Sequence, residues 1–548
     1  MTIMAYQSLQ NLTKRLFKMN LTEQEWWRGS VTYQIYPRSF MDSNGDGIGD
    51  IPGITSRLDY LADLGVDAIW LSPIFTSPMK DMGYDVSNYI DIDPSFGTLS
   101  DFDEMIAKAH NLGLKVIIDQ VLSHTSDQHP YFLESRQNQT NDKADWYIWA
   151  DAKPDGSPPN NWLSIFGGTG WQWDSRRKQY YMHNFLRQQP DLNFHNPNVQ
   201  EWILSTVRFW LERGVDGFRL DTVNYYFHDK LLRDDAADFR QKSVADWNPY
   251  HMQYHLFSKN QPENLVFLKK FRALLDEYGA TTSVGEVGES HHPIEMMGEY
   301  TTDKRLHMAY SFEMLGHSFS PKHFSKQITD FFRLAPKGWP CWAFSNHDVV
   351  RHVSRWKKHA EDPTALAKQA CALLLSLEGS VCLYQGEELG QQETDLNYDE
   401  LVDPQGIEFW PEDKGRDGCR TPMSWDNSEF SGFSSSTPWL PVKETQRQLN
   451  VADQQNDPSS VLNFYREMLA FRKQNSVLRN GNTLFINDDN SLLAFVRGDT
   501  MLCIFNLGNQ SITYQNTTEF NQCIKVGNTK VEGKALVLGT NGFAFLTK

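Results

Sequence analysis

The sequence has no long apolar run and no surplus of positive charge. A membrane-spanning helix needs about 18 or more consecutive apolar residues, and the 548-residue chain contains no such stretch. Its formal net charge is −17, from 69 acidic and 52 basic side chains. Because nucleic acids and anionic membranes attract positively charged surfaces, we expect neither a nucleic-acid partner nor a membrane partner.

Cysteine is also scarce, and its spacing indicates neither a disulfide framework nor a zinc site. No two of the six cysteines are separated by two residues, and in a chain of this length such scattered residues are typical of reduced thiols. Residues 1–20 lack the apolar core of a signal peptide and are interpreted as an N-terminal extension. We therefore expect a soluble, cytoplasmic protein. The cysteines are Cys341, Cys371, Cys382, Cys419, Cys503 and Cys523.

Short apolar strands alternate with amphipathic helices along most of the chain. With 40% hydrophobic and 13% aromatic residues, the composition is that of a globular protein. Glycine ends several helices just before the next strand, as in "DLGVDAIW" and "ERGVDGFR". An α/β fold, a parallel (β/α)₈ TIM barrel, follows from eight strands in alternation with helices. The eight strands are predicted at residues 31–36, 67–72, 115–121, 216–221, 282–287, 307–312, 341–346 and 380–386.

Two stretches interrupt this alternation and indicate additional domains. Residues 126–197 are rich in Pro, Gly, Asn and Trp, and so long a loop is usually functional or a small domain of its own. Residues 478–548 read as short strands and turns, which predicts a C-terminal antiparallel β domain. The barrel is then assigned to residues 21–125 and 198–477.

Charged and polar side chains follow four of the predicted strands. In a barrel of this type, such residues at the carboxyl ends of the strands build the active site. Any one of them alone would be read as an ion pair or a surface residue, but four strands ending this way indicate a site. The residues are Asp119, His124, Arg219, Asp221, Glu286, Asn346, His347 and Asp348.

Three carboxylates at one barrel mouth suit hydrolysis of a glycosidic bond. One carboxylate attacks the anomeric carbon, and a carboxylic acid with a raised pKa protonates the leaving oxygen. Arg219 and Asp221 lie two residues apart in a strand and therefore share its inward face. We expect the guanidinium to keep Asp221 ionised, as a nucleophile must be, and also to pair with it structurally.

The segment "DSNGDGIGD" (42–50) places oxygen-bearing groups at alternate positions, as hard cations require. Position twelve of the pattern is Gly53 rather than Glu, and a strand precedes it, so an EF-hand is not expected. A structural Ca²⁺ (or Mg²⁺) is predicted instead, against the alternative of a metal-free turn rich in Asp and Asn. No organic cofactor is expected. The predicted ligands are Asp42, Asn44, Asp46, the Ile48 carbonyl and Asp50.

Four segments together resemble the conserved motifs of the α-amylase family of glycoside hydrolases. They are "DQVLSH" (119–124), "GFRLDTVN" (217–224), "GEV" (285–287) and "FSNHD" (344–348), in the family's order. The resemblance covers nearly the whole chain and implies a retaining mechanism through a covalent glucosyl-enzyme. It implies Asp221 as nucleophile, Glu286 as general acid/base and Asp348 as transition-state stabiliser. It also implies that His124, Arg219 and His347 surround the first sugar.

Further segments resemble the oligo-1,6-glucosidase and α-glucosidase subgroup of that family. These are "QPDLN" (189–193), "KDMGYDVSNY" (80–89) and "GRDGCRTPMSW" (415–425). The resemblance implies that Asp81 and Arg420 clamp the glucose pocket and that Tyr84 and Phe166 supply aromatic faces. The alternative for Asp81 and Arg420 is an ordinary loop ion pair. A closed pocket implies exo action on short α-glucosides.

Linkage preference is predicted from Thr222, the residue after the predicted nucleophile. Members of the subgroup that prefer α-1,6 bonds typically carry Val there, and the α-1,4 enzymes carry Thr or Ala. Thr222 therefore predicts α-1,4 preference, with maltose and short malto-oligosaccharides as substrates and sucrose as a further candidate, and with some transglucosylation. The alternatives are an oligo-1,6-glucosidase, a sucrose or trehalose isomerase, a transglucosylase, and a non-catalytic relative. The sequence leaves monomer and homodimer open.

Overall fold

The computed structural model describes residues 25–240 and 247–548. The N-terminal extension predicted for residues 1–20 lies outside the described residues. No helix in the described part is long and apolar enough to cross a membrane.

Eight parallel strands form the central sheet, as predicted. In spatial order they run β6-β5-β4-β3-β2-β1-β8-β7, and a parallel bridge between Ala309 and Pro340 joins the two ends into a barrel. Sequential strands therefore lie side by side, with helical segments in the connections, which is the predicted (β/α)₈ arrangement. The strands are β1 (Val31–Ile35), β2 (Ala68–Leu71), β3 (Lys115–Gln120), β4 (Gly217–Leu220), β5 (Thr282–Val287), β6 (Met308–Ser311), β7 (Cys341–Trp342) and β8 (Ser380–Tyr384).

The barrel strands are buried on both faces because side chains alternate between the interior and the surrounding helices. Trp70, Ile117 and Val284 belong to one apolar cluster, while Ile69 and Val116 belong to the much larger cluster shared with the helices. The strand β7 is shorter than the predicted 341–346 and ends at Trp342.

Helices cover the barrel and occupy its loops. Several begin with a side-chain cap, for example Thr98 and Ser320, whose hydroxyls accept a backbone N–H of the first turn. The α-helices of the described residues are Ile51–Ser56, Leu58–Leu64, Leu99–Asn111, Pro130–Ser135, Pro197–Glu212, Asn264–Asp276, Pro293–Tyr300, Pro321–Leu334, His352–Arg355, Pro363–Leu374, Pro404–Phe409, Asp417–Arg420, Glu444–Arg447, Val451–Gln454, Val461–Gln474 and Ser476–Asn480.

Two antiparallel sheets lie within the stretches assigned to additional domains. The insert between β3 and β4 contains Trp149–Ala150, Trp171–Asp174 and Gln179–Met182, around a small cluster with Trp162 and Trp171. Near the carboxyl terminus, β9 (Thr483–Asn487), β10 (Leu492–Arg497), β11 (Met501–Asn506), β12 (Ile512–Gln515), β13 (Gln522–Glu532) and β14 (Ala535–Thr547) form an antiparallel sheet, as predicted. Shorter antiparallel pairs join Phe75–Thr76 with Asn88–Ile92 and Ala236–Ala237 with Gln253–Tyr254.

Candidate active site

A cavity of about 360 Å³ opens where the barrel strands end at their carboxyl termini. Nine of the eleven predicted catalytic and substrate-binding residues line it. The other two, Arg219 and Arg420, are completely buried behind its wall. The lining residues from the prediction are Asp81, Tyr84, His124, Phe166, Asp221, Thr222, Glu286, His347 and Asp348.

Arg219 connects the carboxyl groups at the base of this cavity. Its Nη1 donates to Asp221 Oδ1 at 2.7 Å and to Asp119 Oδ1 at 2.9 Å. Its Nη2 lies 2.7 Å from Glu286 Oε1 and donates to the Tyr310 hydroxyl at 2.9 Å. The register of the sheet brings these groups together, because Asp119 of β3 lies directly beside Arg219 of β4. A completely buried guanidinium is thus paired with three carboxyl groups, and such pairing is what allows charged residues in a core strand.

Burial raises the pKa of both Asp221 and Glu286 to about 7. The charge of Arg219 opposes this shift at both residues, and the negative charge of Asp221 adds to it at Glu286. Two carboxyl groups that share one guanidinium therefore titrate as a coupled pair with raised pKa values. When one of them is ionised and the other protonated, the site holds a carboxylate and a carboxylic acid together.

Asp348 faces the same cavity but has the opposite electrostatic environment. Its Oδ1 accepts from Arg420 Nη2 at 3.1 Å and from Arg416 Nη1 at 3.3 Å, and His347 Nε2 lies 3.3 Å from Oδ2. Burial alone would raise the pKa of Asp348, but His347 and the two guanidiniums outweigh it and hold that pKa well below its usual range. Asp348 is therefore the carboxylate of the three that its surroundings favour in the ionised form.

His347 and Tyr84 form a polar wall beside Asp119. Gln34 Nε2 donates to His347 Nδ1 at 2.7 Å, so the other ring nitrogen carries the proton and faces the Tyr84 hydroxyl at 2.6 Å. Tyr84 in turn donates to Asp119 Oδ2 at 3.2 Å. This chain of hydrogen bonds fixes the orientation of both rings where a sugar would contact them.

The predicted clamp between Asp81 and Arg420 is wrong in its arginine. Asp81 Oδ1 pairs with Arg416 Nη2 at 2.9 Å, and Arg416 also pairs with Asp403 at 2.7 Å. Arg420 instead donates to the His347 carbonyl at 2.8 Å and to Asp348. The reason is position: Arg420 ends the short buried helix Asp417–Arg420, whereas Arg416 precedes that helix and lines the cavity.

Arg416 and Asp403 are functional candidates that the sequence reasoning missed. The guanidinium of Arg416 lies 5.1 Å from the centre of the Phe166 ring, so the predicted aromatic face and the clamp are in contact. The segment "GRDGCR" carries both arginines four residues apart, so the sequence offers two candidates for the arginine of the clamp. Local spacing could not distinguish them, because the partner carboxylates come from distant loops.

His124 lies at the cavity wall as a neutral ring. Its Nε2 contacts the Tyr84 carbonyl at 2.9 Å, and its Nδ1 lies 2.9 Å from the Ser123 hydroxyl. Burial lowers the pKa of His124 to about 4, so it does not carry a charge at neutral pH. Gln189, from the "QPDLN" segment, donates to Asp81 Oδ2 at 3.0 Å and thereby supports the clamp.

Thr222 contacts the carboxyl groups of both Asp221 and Glu286. Its N–H donates to Glu286 Oε2 at 3.0 Å, and its hydroxyl donates to Asp221 Oδ2 at 3.2 Å. Its backbone has φ of 39°, a left-handed conformation that is unfavourable for a β-branched residue. Strained backbone of this kind is concentrated at functional sites, where the surroundings impose it.

Two long loops that the sequence did not assign to the site contribute to the cavity lining, one through Trp247 and the other through Gln405. Trp247 and Phe409 pack with their ring centres 4.8 Å apart, which joins the loop after β4 to the loop after β8. Lys259 also lines the cavity, with its ammonium 4.7 Å from the Tyr225 ring. The cavity lining therefore includes the buried carboxylate of Asp81 and the partly exposed ring of Trp247.

The predicted metal loop is a series of turns held by its own side chains. Asp42 Oδ1 accepts from the N–H groups of Asn44 and Gly45, and Oδ2 accepts from Gly47 and from the Ser434 hydroxyl. Although burial raises the pKa of Asp42, these hydrogen bonds lower it overall. No group of three or more His, Cys, Asp or Glu side chains in the described part of the chain is arranged to hold a metal ion.

The remaining predicted ligands continue this pattern. Asn44 Oδ1 accepts from the Asp46 N–H, Asp46 Oδ1 from the Ile48 N–H, and Asp50 Oδ1 caps the following helix through the Gly53 N–H. A carboxylate or amide oxygen has two lone pairs, so Asn44 Oδ1 and Asp46 Oδ1, which each accept one hydrogen bond, keep capacity for a cation, whereas both oxygens of Asp42 already accept two. The donor set suits a hard cation, and the metal at this loop stays a prediction.

Comparisons with known proteins agree with this geometry. The profile described as "Alpha amylase, catalytic domain" matches residues 34–481. A probable alpha-glucosidase from Rhizobium meliloti (strain 1021) is 59% identical over 500 residues, which cover 90% of this chain and 91% of that protein. An oligo-1,6-glucosidase from Parageobacillus thermoglucosidasius is 38% identical over 512 residues, which cover 87% and 88% of the two chains.

A solved structure is similar over almost its whole length. It is the crystal structure of an alpha-glucosyl transfer enzyme, XgtA, which is 51% identical in sequence and matches with a TM-score of 0.92. The match covers 95% of this chain and 99% of that one.

Proposed function

The chain belongs to the alpha-amylase family of glycoside hydrolases, and from this premise we propose that it is a retaining, exo-acting α-glucosidase. It would release glucose from the non-reducing ends of short α-glucosides and prefer α-1,4 bonds. The observation that carries the proposal is the bridge of one guanidinium, Arg219, between Asp221 and Glu286. Both carboxyl groups therefore face one reaction centre, where a retaining mechanism uses one as nucleophile and the other as acid and base.

In the first step, an oxygen of ionised Asp221 forms a bond to the anomeric carbon. The bond from that carbon to the glycosidic oxygen breaks, and Glu286 gives its proton to the leaving oxygen. In the second step, Glu286 takes a proton from water while the water oxygen attacks the anomeric carbon and Asp221 departs. Asp348, which keeps its charge, would bind sugar hydroxyls and favour the positive charge that develops on the ring.

A cluster of buried ion pairs in the cavity lining supports exo action. Asp81, Arg416 and Asp403 form a buried ion-pair cluster there, with Phe166 against the guanidinium. Such a wall would keep a chain from continuing past the first sugar, which supports the glucose at the non-reducing end as the unit that binds. The same wall supports a preference for short substrates.

Thr222 supports the proposed linkage preference. Its hydroxyl lies against Asp221 and 3.2 Å from the Ser123 hydroxyl, so a polar group borders the bond to be cleaved. Cleavage of α-1,6 bonds is the competing outcome, because one relative at 38% identity is an oligo-1,6-glucosidase.

The test is a time-resolved product assay on maltose, isomaltose, sucrose and trehalose by proton NMR. We expect maltose to be consumed fastest and the α anomer of glucose to appear before mutarotation. Release of the β anomer first would contradict the retaining mechanism, and faster cleavage of isomaltose would contradict the linkage preference.

A second candidate is glucosyl transfer to a sugar or alcohol. It is favoured by the similarity to the alpha-glucosyl transfer enzyme at 51% identity, and it uses the same glucosyl-enzyme with another hydroxyl in place of water. The same assay at high maltose concentration distinguishes the two. A predominant transferase would accumulate trisaccharides, and few glucose units from the non-reducing ends would appear as free glucose.

A further inference from the structure

Gly288, two residues beyond Glu286, is held by two side chains from the connection between β4 and β5. Its N–H donates to Asn224 Oδ1 at 2.9 Å, and its carbonyl accepts from Asn224 Nδ2 at 3.2 Å. The same carbonyl accepts from the Lys259 ammonium at 2.7 Å. Asn224 follows Asp221 by three residues, so one amide side chain joins the segment of the proposed nucleophile to that of the proposed acid.

Asn224 has no freedom to leave this position. It is completely buried, its Nδ2 also donates to Asn260 Oδ1 at 2.7 Å, and its backbone carbonyl accepts the Asn260 N–H at 2.9 Å. Because buried amide groups lose free energy when their hydrogen bonds are unmade, the bridge between the two segments is stiff. The contacts depend on the amide, which both donates and accepts on one side chain.

Lys259, which lies later in the same connection, donates to the same carbonyl. Its side chain is almost completely buried, and its ammonium donates to the Tyr225 hydroxyl at 3.0 Å. Glu289 lies 4.0 Å from that ammonium and accepts a hydrogen bond from Asn260. A buried ammonium is stable only when it is paired in this way. Lys259 is therefore a fixed donor.

Gly288 allows this close approach because it has no side chain. A Cβ at this position would lie 3.1 Å from Cε2 of the Tyr225 ring. Asn224 thus binds the N–H of Gly288, and Asn224 and Lys259 bind its carbonyl. Tyr225 packs where a side chain at this position would lie. Displacement of Gly288 would move the end of β5, and with it Glu286.

We propose that Asn224 and Lys259 are positioning residues for the Glu286 proton donor, acting through Gly288. The inference rests on the proposed function, since it requires Glu286 to be the general acid. Asn224 acts through Gly288 without lining the cavity, whereas Lys259 also lines it. Their effect is to hold the carboxyl group within reach of the leaving oxygen, where a displacement of about 1 Å costs roughly 100-fold in rate.

A misplaced acid has a signature that a loss of stability does not have. The three substrates differ in their leaving groups. The leaving group of maltose is a sugar alkoxide, which needs a proton, that of 4-nitrophenyl α-glucoside is a weakly basic phenolate, and that of α-glucosyl fluoride is fluoride. The quantity kcat/KM reports formation of the glucosyl-enzyme, in which only the leaving group requires the acid. The loss should therefore grow with the basicity of the leaving group.

The experiment compares Asn224→Asp and Lys259→Met with the parent on these three substrates. Asn224→Asp keeps the shape and the acceptor but removes the donor, and Lys259→Met keeps an unbranched side chain without its ammonium. We expect kcat/KM for maltose to fall about 10- to 100-fold and that for α-glucosyl fluoride to fall less than about threefold. Asn506→Asp is the matched control, because Asn506 is a completely buried amide in the C-terminal sheet and donates to the Gln510 carbonyl.

We expect the control to change the three rates equally. Equal slowing of all three substrates by Asn224→Asp and Lys259→Met, in an active parent, would overturn the inference alone. A parent that hydrolyses none of the three would overturn the proposed function as well. If Asn224→Asp does not fold, judged by circular dichroism, Lys259→Met decides the outcome by the same ratio.

Discussion

Thr222 donates its backbone N–H to the carboxyl group of Glu286, with 3.0 Å between the nitrogen and Oε2. The residue that follows the proposed nucleophile thus orients the proposed acid. The left-handed backbone of Thr222, with φ of 39°, turns this N–H toward β5. One peptide therefore sets the relative position of the two groups that the reaction requires.

The roles of Asp221 and Glu286 predict different losses in their amide variants. Asp221→Asn removes the nucleophile, so we expect loss of activity on every substrate. Glu286→Gln removes the acid, so maltose hydrolysis should fall about 10²- to 10⁴-fold while formation of the glucosyl-enzyme from 4-nitrophenyl α-glucoside is largely kept. Steady-state assays with added azide, which attacks the glucosyl-enzyme without a base, should restore turnover only in Glu286→Gln. Parent-like maltose rates in either variant would refute the mechanism.

Thr222→Val tests the proposed control of linkage. The substitution keeps the β-branched shape but removes the hydroxyl that contacts Asp221 and Ser123. We expect the ratio of kcat/KM for maltose to that for isomaltose to decrease, because an apolar methyl replaces the polar border of the leaving sugar. Thr222→Ser, which keeps the hydroxyl, is the control and should keep the ratio. An unchanged ratio in Thr222→Val would mean that linkage is selected elsewhere.

A double-mutant cycle tests the partner of Asp81. Asp81 pairs with Arg416 at 2.9 Å, whereas Arg420 is directed to Asp348 and the His347 carbonyl. We expect the effects of Asp81→Asn and Arg416→Lys on kcat/KM for maltose to be coupled by about 1 kcal/mol or more, as contacting residues are.

The matched cycle uses Asp81→Asn with Arg420→Lys. Because these side chains do not share an ion pair, their coupling should be smaller than that of Asp81 with Arg416. Lysine cannot reproduce the forked geometry of a guanidinium, so both single variants should lose activity. Equal coupling in the two cycles would contradict the assignment of the clamp to Arg416.

Glu387 predicts a dependence of stability on pH. It is buried, accepts from the Tyr465 hydroxyl at 3.1 Å and from the Tyr384 N–H at 3.3 Å, and forms no ion pair within residues 25–240 and 247–548. Burial raises its pKa from 4.5 to about 8. Between these values the unfolded chain releases the proton and the folded chain keeps it, so stability decreases as pH rises, by up to about 1.4 kcal/mol per pH unit.

Glu387→Gln removes this titration while leaving an acceptor for Tyr465. We expect the Tm of the variant to exceed that of the parent at pH 8 by more than it does at pH 5, measured by calorimetry. The exposed Glu429→Gln serves as control and should shift the Tm equally at both values. A difference between variant and parent that is the same at pH 5 and pH 8 would show that Glu387 ionises in the folded chain as it does in water.

The loop at residues 42–50 predicts an effect of metal removal. If Ca²⁺ or Mg²⁺ binds Asp42 and its neighbours, chelation by EDTA should lower the Tm of the parent, because a ligand of the folded state stabilises it. Asp42→Asn should have a lower Tm and lose its response to EDTA. Elemental analysis of the dialysed parent gives an independent measure. An unchanged Tm together with no bound metal would favour the metal-free turn.

Much of the fold and the core of the site were predictable, for an identifiable reason. The period-two alternation in "DGFRLD" places Arg219 and Asp221 on one face of a strand. Parallel strands then bring their carboxyl ends together, so Glu286 and Asp348 reach the same cavity. Tyr310, which donates to Glu286 Oε1 at 3.2 Å, was not predicted, because a tyrosine inside an apolar strand is read as core.

By itself the sequence determined the alternation of strands and helices and the residues that stand at the strand ends. These features are local, since they depend on side-chain periodicity and on caps within one segment. Only the tertiary structure decided which charges pair. Asp81 meets Arg416 across 335 positions of the chain, and Asn224 and Lys259 meet at Gly288. Such contacts depend on how long loops fold over the barrel, and no local pattern encodes that.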